Sequence, residues 1–252
     1  MLKIKRLDKI KAYINEHGSA SLDELVKEFG VSKNTIRRDV QTLIEGGAFK
    51  KVYGGVEVNK PNTTVPFDDR KVHNIESKQK IGKAAAEFVE NGDIIFIDSG
   101  TTTVEMVDYI KDKELTIITN NIAFIFRAFP YNNLSIFSTG GMMERRTNSF
   151  TSADNDEIIT TYNIKKAFLA TTGLTIKNGV TNSLPLESSL KKSVVERSTE
   201  TFLLADYSKF GKSSLTTYSE LNEIDFLVTD NMPEAFYTYT QENGINVVYP
   251  EN

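Results

Sequence analysis

The sequence predicts an α/β protein built on an open, mostly parallel sheet, with a small helical domain in front of it. Three observations carry this. From residue 93 onward, short runs rich in Ile, Val and Phe alternate with helical segments, the pattern of buried parallel strands joined by crossovers. The first sixty residues instead hold amphipathic helices closed by a β-hairpin. Between them, Asn59-Lys60-Pro61-Asn62-Thr63-Thr64-Val65-Pro66 has two prolines and no apolar period, and reads as a connector. The expected division is a helical domain over 1–58, a linker over 59–66 and an α/β domain over 67–252.

The bulk numbers narrow the function. The 252 residues are 39% hydrophobic and 25% charged, which excludes wholesale disorder. No apolar run approaches the ~18 residues that cross a bilayer. The basic start, Met1 to Arg6, is followed by no apolar signal core, so a cytoplasmic location and no membrane partner are expected. There are no cysteines, which removes disulfides, thiolate catalysis and thiolate metal sites. His17 and His73 are far apart and stand in no ligand spacing, so neither a metal nor a cofactor is expected. Residues 1–60 carry 12 Lys and Arg against 8 Asp and Glu; the remainder carries 18 against 26. A basic head on an acidic body points to a polyanion met by the head alone.

In the head, Ile4, Leu7, Ile10 and Ile14 recur at helical spacing, giving a first helix that ends near Gly18. Ser21 and Glu24 stand three apart as a capping box for a second helix, whose stripe is Leu22, Leu25, Val26 and Phe29 and whose stop is Gly30. Ser32 caps a third helix with Ile36, Val40, Leu43 and Ile44 on one face. Its first turn holds Ser32, Lys33, Asn34 and Thr35. Its open face presents Arg38, Gln41 and Thr42, with Arg37 at the edge. Two helices across a short Gly-containing turn make a helix-turn-helix, whose second helix enters the major groove of double-stranded DNA. Arg pairs bidentately with guanine, and Asn or Gln with adenine. The bland alternative is a solvated face, but this face is rich in donors and nearly free of acids. Gly54-Gly55 between β-type runs then reads as a tight hairpin, a wing that sets Lys50, Lys51 and Tyr53 against the DNA backbone.

Thr35-Ile36-Arg37-Arg38-Asp39-Val40, then Gly46-Gly47 and Lys51-Val52-Tyr53-Gly54-Gly55, resembles the DNA-binding domain of the DeoR family of bacterial regulators over nearly all of residues 3–58. The family usually has Leu at the position of Val40 and often His at that of Tyr53.

After the linker, Phe67 to Asn74 is polar and undecided, and a helix runs from about Glu76 to Glu90. The expected strands are 93–97, 115–119, 134–138, 167–171, 201–205, 226–229 and 245–249. Ligands of such sheets bind beyond the carboxyl ends of the strands. There the sequence places Asp98-Ser99-Gly100-Thr101-Thr102-Thr103, Thr119-Asn120, Gly140-Gly141, Thr172-Gly173, and Asp206 to Lys212. Hydroxyls and backbone amides at a helix start suit an anion. Together with one carboxylate and one ammonium, Asp206 and Lys209, they describe a pocket for a small phosphorylated ligand. Lys78, at the start of its helix, is a lesser candidate. Gly211-Lys212-Ser213 matches the end of a P-loop, but position 206 is Asp where that motif needs Gly.

These loops also resemble the sensor domain of the DeoR family across residues 67–252. Asp98 to Thr102 is similar to its phosphate loop, and Leu204 to Gly211 to its late Asp/Lys motif. By that resemblance Asn120, Gly140, Gly141, Gly173 and Glu187 are pocket residues too. It implies a fold like ribose-5-phosphate isomerase and coenzyme A transferases, and a repressor of a sugar-utilisation operon released by a phosphorylated sugar. Two departures, Tyr207 in place of a small residue and no glycine near Thr151, are expected to reshape the pocket. In this reading the phosphate lies on Ser99 to Thr103, with the sugar hydroxyls near Asp98, Asn120, Asp206 and Lys209. Paired half-sites in DNA imply a homo-oligomer, a dimer or tetramer.

Two rivals stand beside this. One is a sugar-phosphate isomerase with a fused DNA-binding domain, for which Asp98, Glu187 or Asp206 could act as base. The other is a regulator that answers only to a protein partner, which leaves the hydroxyl-rich loops without a role.

Overall fold

The computed structural model describes residues 3–45, 49–58 and 64–251. The chain forms two compact units that divide between Thr63 and Thr64. The predicted Gly46-Gly47 and most of the connector lie outside the described residues, as do the side chains of Ile4 and Lys50.

The first unit runs α1 (Lys3–His17), β1 (Ser19–Ser21), α2 (Leu22–Phe29), α3 (Lys33–Glu45), β2 (Phe49–Val52) and β3 (Gly55–Val58). Its core is Ile10, Ile14, Ala20, Leu25, Ile36, Val40, Phe49 and Val56. The capping box at Ser21 is present: the Glu24 amide donates to Ser21 Oγ at 3.1 Å and the Ser21 amide to Glu24 Oε2 at 2.7 Å. Gly30 ends α2 with φ of 62°. Two things differ from expectation. A short strand, β1, joins the wing in a sheet of order β1-β3-β2. The hairpin turn is Tyr53-Gly54, since Val52 pairs with Gly55. Gly54 supplies a left-handed residue, φ 76°. Gly55 serves another end: a Cβ there would lie 2.4 Å from the Ala20 carbonyl oxygen.

The second unit opens with α4 (Phe67–Val72), in the stretch left undecided by sequence, and α5 (Ile75–Ala86). There follow β4 (Ile94–Ile97), a 3₁₀ turn over Thr103–Met106, α6 (Val107–Ile110), β5 (Leu115–Thr119), α7 (Ile122–Ala128) and β6 (Leu134–Ser138). A hairpin, β7 (Met142–Glu144) and β8 (Ser149–Thr151), precedes α8 (Asn155–Thr160) and β9 (Lys166–Ala170). The rest is β10 (Gly173–Thr175), β11 (Gly179–Asn182), α9 (Pro185–Arg197), β12 (Glu200–Leu204), β13 (Thr216–Ser219), β14 (Phe226–Val228), α10 (Glu234–Glu242) and β15 (Asn246–Val248).

All seven expected strands are present and form one sheet of order β15-β14-β12-β9-β4-β5-β6, every neighbouring pair parallel. Burial on both faces explains their near-continuous apolar runs. Ile95, Ile97, Phe202 and Leu204 point into one core with Ile81, Val107 and Phe124. Phe96 and Leu203 point into the other with Leu190, Val194 and Phe236. The hairpin and a small antiparallel sheet, β10-β11-β13, were not anticipated. The strand order runs outward in both directions from the β4–β9 pair. That pair is the topological switch point, where such sheets open a crevice.

Candidate functional site

In the first unit, α3 and the wing enclose a groove of about 640 Å³ lined by Arg37, Arg38, Gln41, Thr42, Lys51 and Gly54–Gly55, with Leu22, Val40 and Ile44 at its base. Arg37, Arg38, Gln41, Thr42 and Lys51 are exposed, as is Asn34. Tyr53 stands in solvent at the wing tip. Four of the expected contact residues are engaged locally; one, Thr42, donates through Oγ1 to the Arg38 carbonyl at 3.0 Å. Lys33 Nζ pairs with Asp23 Oδ1 at 2.6 Å, which ties the start of α3 to α2. Ser32 Oγ accepts from the Thr35 amide at 3.3 Å and lies 2.9 Å from Thr35 Oγ1, so both hydroxyls serve the helix cap. Asp39, inside the Arg-Arg-Asp motif, is buried. It holds Arg6 of α1 through Nε at 2.6 Å and so fixes the roll of α3 on its own core. Sequence reading did not find this pair, because its partners are 33 residues apart.

In the second unit, a cavity of about 430 Å³ opens at the carboxyl ends of the strands. Thr171 and Thr172 follow β9, and Asp206, Ser208, Lys209 and Lys212 follow β12. Asn182, Ser183, Glu187 and Thr147 form further wall. The remaining wall is Thr64, Val65, Arg70, His73, Asn74 and Lys78. Four of the expected residues therefore meet here: Lys78, Glu187, Asp206 and Lys209. Lys212 follows in the same strand-end loop, and Arg70 with the rest of the segment from Thr64 to Asn74 was missed. Its signal is weak, since a polar run before the first strand carries no strand-end signature.

The cavity is cationic. Burial pulls the Arg70, Lys78 and Lys209 side chains below their ordinary values, Lys78 to about 8. Burial works to raise the Asp206 carboxyl, but the Ser208 hydrogen bond, the Lys209 charge and the Asn74 amide outweigh it and hold the group ionised. Its Oδ1 accepts from Asn74 Nδ2 at 2.9 Å and the Ser208 amide at 3.0 Å; its Oδ2 is buried without a partner. Arg70 Nη2 is likewise buried and unpartnered. Glu187 has both oxygens engaged, Oε1 by Ser149 Oγ at 2.7 Å and Oε2 by Asn182 Nδ2 at 2.9 Å.

The loop after β4 differs from its expected role in part. Asp98 is a structural hub rather than a free acceptor. Its Oδ1 takes the Gly100 amide at 2.9 Å and Thr103 Oγ1 at 2.8 Å; its Oδ2 takes the Ala170 amide and Lys191 Nζ, each at 2.7 Å. Thr103 is consumed by the same hub. Gly100 needs no unusual φ; a Cβ there would lie 2.4 Å from Ala170 Cβ. The loop thus presses on the residue before cavity-lining Thr171. Ser99, Thr101 and Thr102 are buried, and among the described residues no protein group takes their hydroxyls or amides. They are not part of the cavity lining. Asn120 lies nearby in sequence to β5, with Nδ2 3.4 Å from the Phe150 carbonyl and Oδ1 buried without a partner.

Gly173 admits the Lys212 backbone, whose carbonyl oxygen would stand 2.5 Å from a Cβ there, and so brings Lys212 to the cavity. Gly140 and Gly141 turn the chain into β7 and line no described cavity wall; Gly141 packs on Thr151. The Tyr207 ring is half exposed and also lies outside the lining. Among the described residues no three His, Asp or Glu gather as metal ligands, and no helix is long and apolar enough to cross a membrane.

Comparison with known proteins agrees with both halves of this geometry. Residues 6–62 match the DeoR-like helix-turn-helix domain, and residues 73–231 the DeoR C terminal sensor domain. The HTH-type transcriptional regulator IolR of Bacillus subtilis (strain 168) is 42% identical over 98% of this chain and 99% of its own length. The lactose phosphotransferase system repressor of Staphylococcus epidermidis is 31% identical over 92% of this chain and 93% of its own. A solved D-ribose-5-phosphate isomerase in complex with phospho-erythronic acid is similar over 54% of each chain, at 15% identity and a TM-score of 0.40. A helix-turn-helix domain followed by a sensor domain is the arrangement those matches describe: the chain belongs to the DeoR family of transcriptional regulators.

Proposed function

We propose that the protein is a cytoplasmic repressor of a sugar-utilisation operon, released from double-stranded operator DNA when a phosphorylated sugar fills the cavity of the second unit. One observation carries the ligand class: Arg70, Lys78, Lys209 and Lys212 converge on a cavity with two carboxylates, Glu187 with both oxygens engaged and Asp206 with one oxygen open. A net positive, polar, strand-end crevice suits a dianion carrying hydroxyls. In this reading the phosphate sits among those cations, and Ser99, Thr101 and Thr102, outside the cavity lining at the neighbouring strand end, supply a second set of open donors for the ligand. Asp206 Oδ2 and Asn120 Oδ1 accept sugar hydroxyls. In the head, Arg38 and Gln41 read base edges and Lys51 and Tyr53 follow the backbone of the DNA. The protein acts as a homo-oligomer on paired half-sites.

The reading is not enzymatic. The relatives matched over nearly the whole chain are named as transcriptional regulators, and of the three carboxylates an isomerase could use as base, Asp98 and Glu187 have both oxygens engaged by protein donors, which leaves Asp206 alone. The test is a melting-temperature screen of pentose and hexose phosphates beside their unphosphorylated sugars, with the same compounds then assayed for release of DNA and for interconversion. A ligand that binds only the folded state raises the melting point. A shift by a sugar phosphate, with release and without turnover, supports the repressor. Turnover would replace it with the isomerase.

A further inference from the structure

One wall of the cavity comes from the first residues of the second unit, the strap from Thr64 to Asn74. The strap is fastened by groups that themselves line the cavity. Thr64 Oγ1 donates to Ser183 Oγ at 3.0 Å, Arg70 Nε to the Val65 carbonyl at 3.0 Å, and Asn74 Nδ2 to Asp206 Oδ1 at 2.9 Å. Lys78 Nζ donates to the Arg70 carbonyl. The Arg70 side chain lies over the Phe67 ring, 5.7 Å from its centroid, with Phe67 buried. Through all this, two atoms at the cavity stay buried and unmatched: a donor on the strap, Arg70 Nη2, and an acceptor at the end of β12, Asp206 Oδ2. An unpaired buried polar group is costly until something supplies its partner.

We propose that the ligand is this partner: its anionic group takes Arg70 Nη2 while a hydroxyl donates to Asp206 Oδ2, so that Arg70 makes the strap the element that registers occupancy. The proposal rests on the sugar-phosphate reading above and adds a specificity residue and a route of control to it. Neutral sugars satisfy Asp206 but offer Arg70 only an uncharged hydroxyl acceptor, a weaker partner than an anion, so they bind without locking the strap. The strap is covalently continuous with the connector to the DNA-reading unit. Occupancy therefore changes how firmly the connector's end is held, with no second site required.

The experiment uses the full-length protein, DNA selected in vitro from a random library, and a panel of pentose and hexose phosphates with inorganic phosphate and unphosphorylated sugars as controls. Amide exchange over 64–74, melting temperature and DNA release are read in the wild type, Arg70→Gln and Arg70→Lys. In the wild type a sugar phosphate slows exchange across the strap and releases DNA. Arg70→Gln binds the same compound at least about tenfold more weakly, and at saturation neither protects the strap nor releases DNA. Arg70→Lys keeps the charge without the forked donor and shows the same loss of protection, which keeps the test valid if the Gln variant unfolds. Variants that bind, protect and release like the wild type overturn the role of Arg70 and leave the sensor reading standing. A wild type that responds to no phosphorylated compound overturns the sensor reading and this inference with it.

Discussion

Asp98 Oδ2 and Lys191 Nζ meet at 2.7 Å with both side chains sealed from solvent. The pair joins the end of the first sheet strand to the middle of α9, and the Ala170 carbonyl and the Tyr218 ring complete the shell around the ammonium. An acid that looks like a ligand acceptor in the sequence is in fact a cornerstone of the switch point. Removing one partner of such a pair leaves a bare buried charge. Asp98→Ala should therefore cost ~3–5 kcal/mol of stability. Urea unfolding measures it; a variant of normal stability that merely loses ligand response would contradict this account.

Arg38 lines the groove between α3 and the wing and has no acidic partner among the described ion pairs. Arg38→Ala should weaken operator binding by ~1–3 kcal/mol and relax preference at one base position, if it reads a guanine. Titrating operator and random DNA side by side separates this from phosphate contact, which lowers both equally.

Ser99, Thr101 and Thr102 are largely buried residues whose donors no group among the described residues takes. The double change Thr101→Val, Thr102→Val removes two hydroxyls with little change of shape. DNA binding without ligand should persist, and the ligand should bind at least ~10-fold more weakly, each lost hydrogen bond to a charged group being worth ~1.5–3 kcal/mol. Calorimetry of the ligand titration checks it, and undiminished affinity would remove this loop from the site.

Lys78 releases its proton near pH 8 in the ligand-free protein because burial, Lys209 and Arg70 outweigh Asp206 and Glu105. A bound phosphate favours the charged form. Ligand affinity should be flat between about pH 7 and 8, where the phosphate (second pKa about 6) is already a dianion, and fall above that, by about tenfold per unit while the bound complex still holds the proton. The sign for the empty protein is opposite. Between about 8 and the ordinary 10.5 the unfolded chain binds more protons at this group than the folded one, so its contribution to stability rises with pH. Binding titrations in two buffers of different ionisation heat, run at pH 7 and 9, should show proton uptake only at the higher pH.

How much of this could be read beforehand follows from where the physical signal lies. Strands such as Ile94–Ile97 and Glu200–Leu204 are buried on both faces over most of their length, so the apolar run each carries marks them. Three-residue strands such as Ser19–Ser21 and Gly173–Thr175 hold too few residues to show a period, and they form only because tertiary neighbours supply the pairing. In the site, Asp206 and Lys209 were legible because they follow a strand. Arg70 was not, because its helix Phe67–Val72 reaches the crevice from outside the sheet. Asp98 was legible in place but not in use: which oxygens remain open depends on Lys191, which is 93 positions away in the chain.

The outward-running strand order has a consequence for descent. Because the cavity's lining is contributed by separate crossings and by a strap laid across them, each segment can drift in length and chemistry while the hydrogen-bonded ladder beneath stays unaltered. On the proposed reading, a lineage of such proteins would be re-addressed from one metabolite to another by editing Thr171–Thr172, Ser208–Lys212 or the strap one at a time. None of those edits touches the helices that choose the gene.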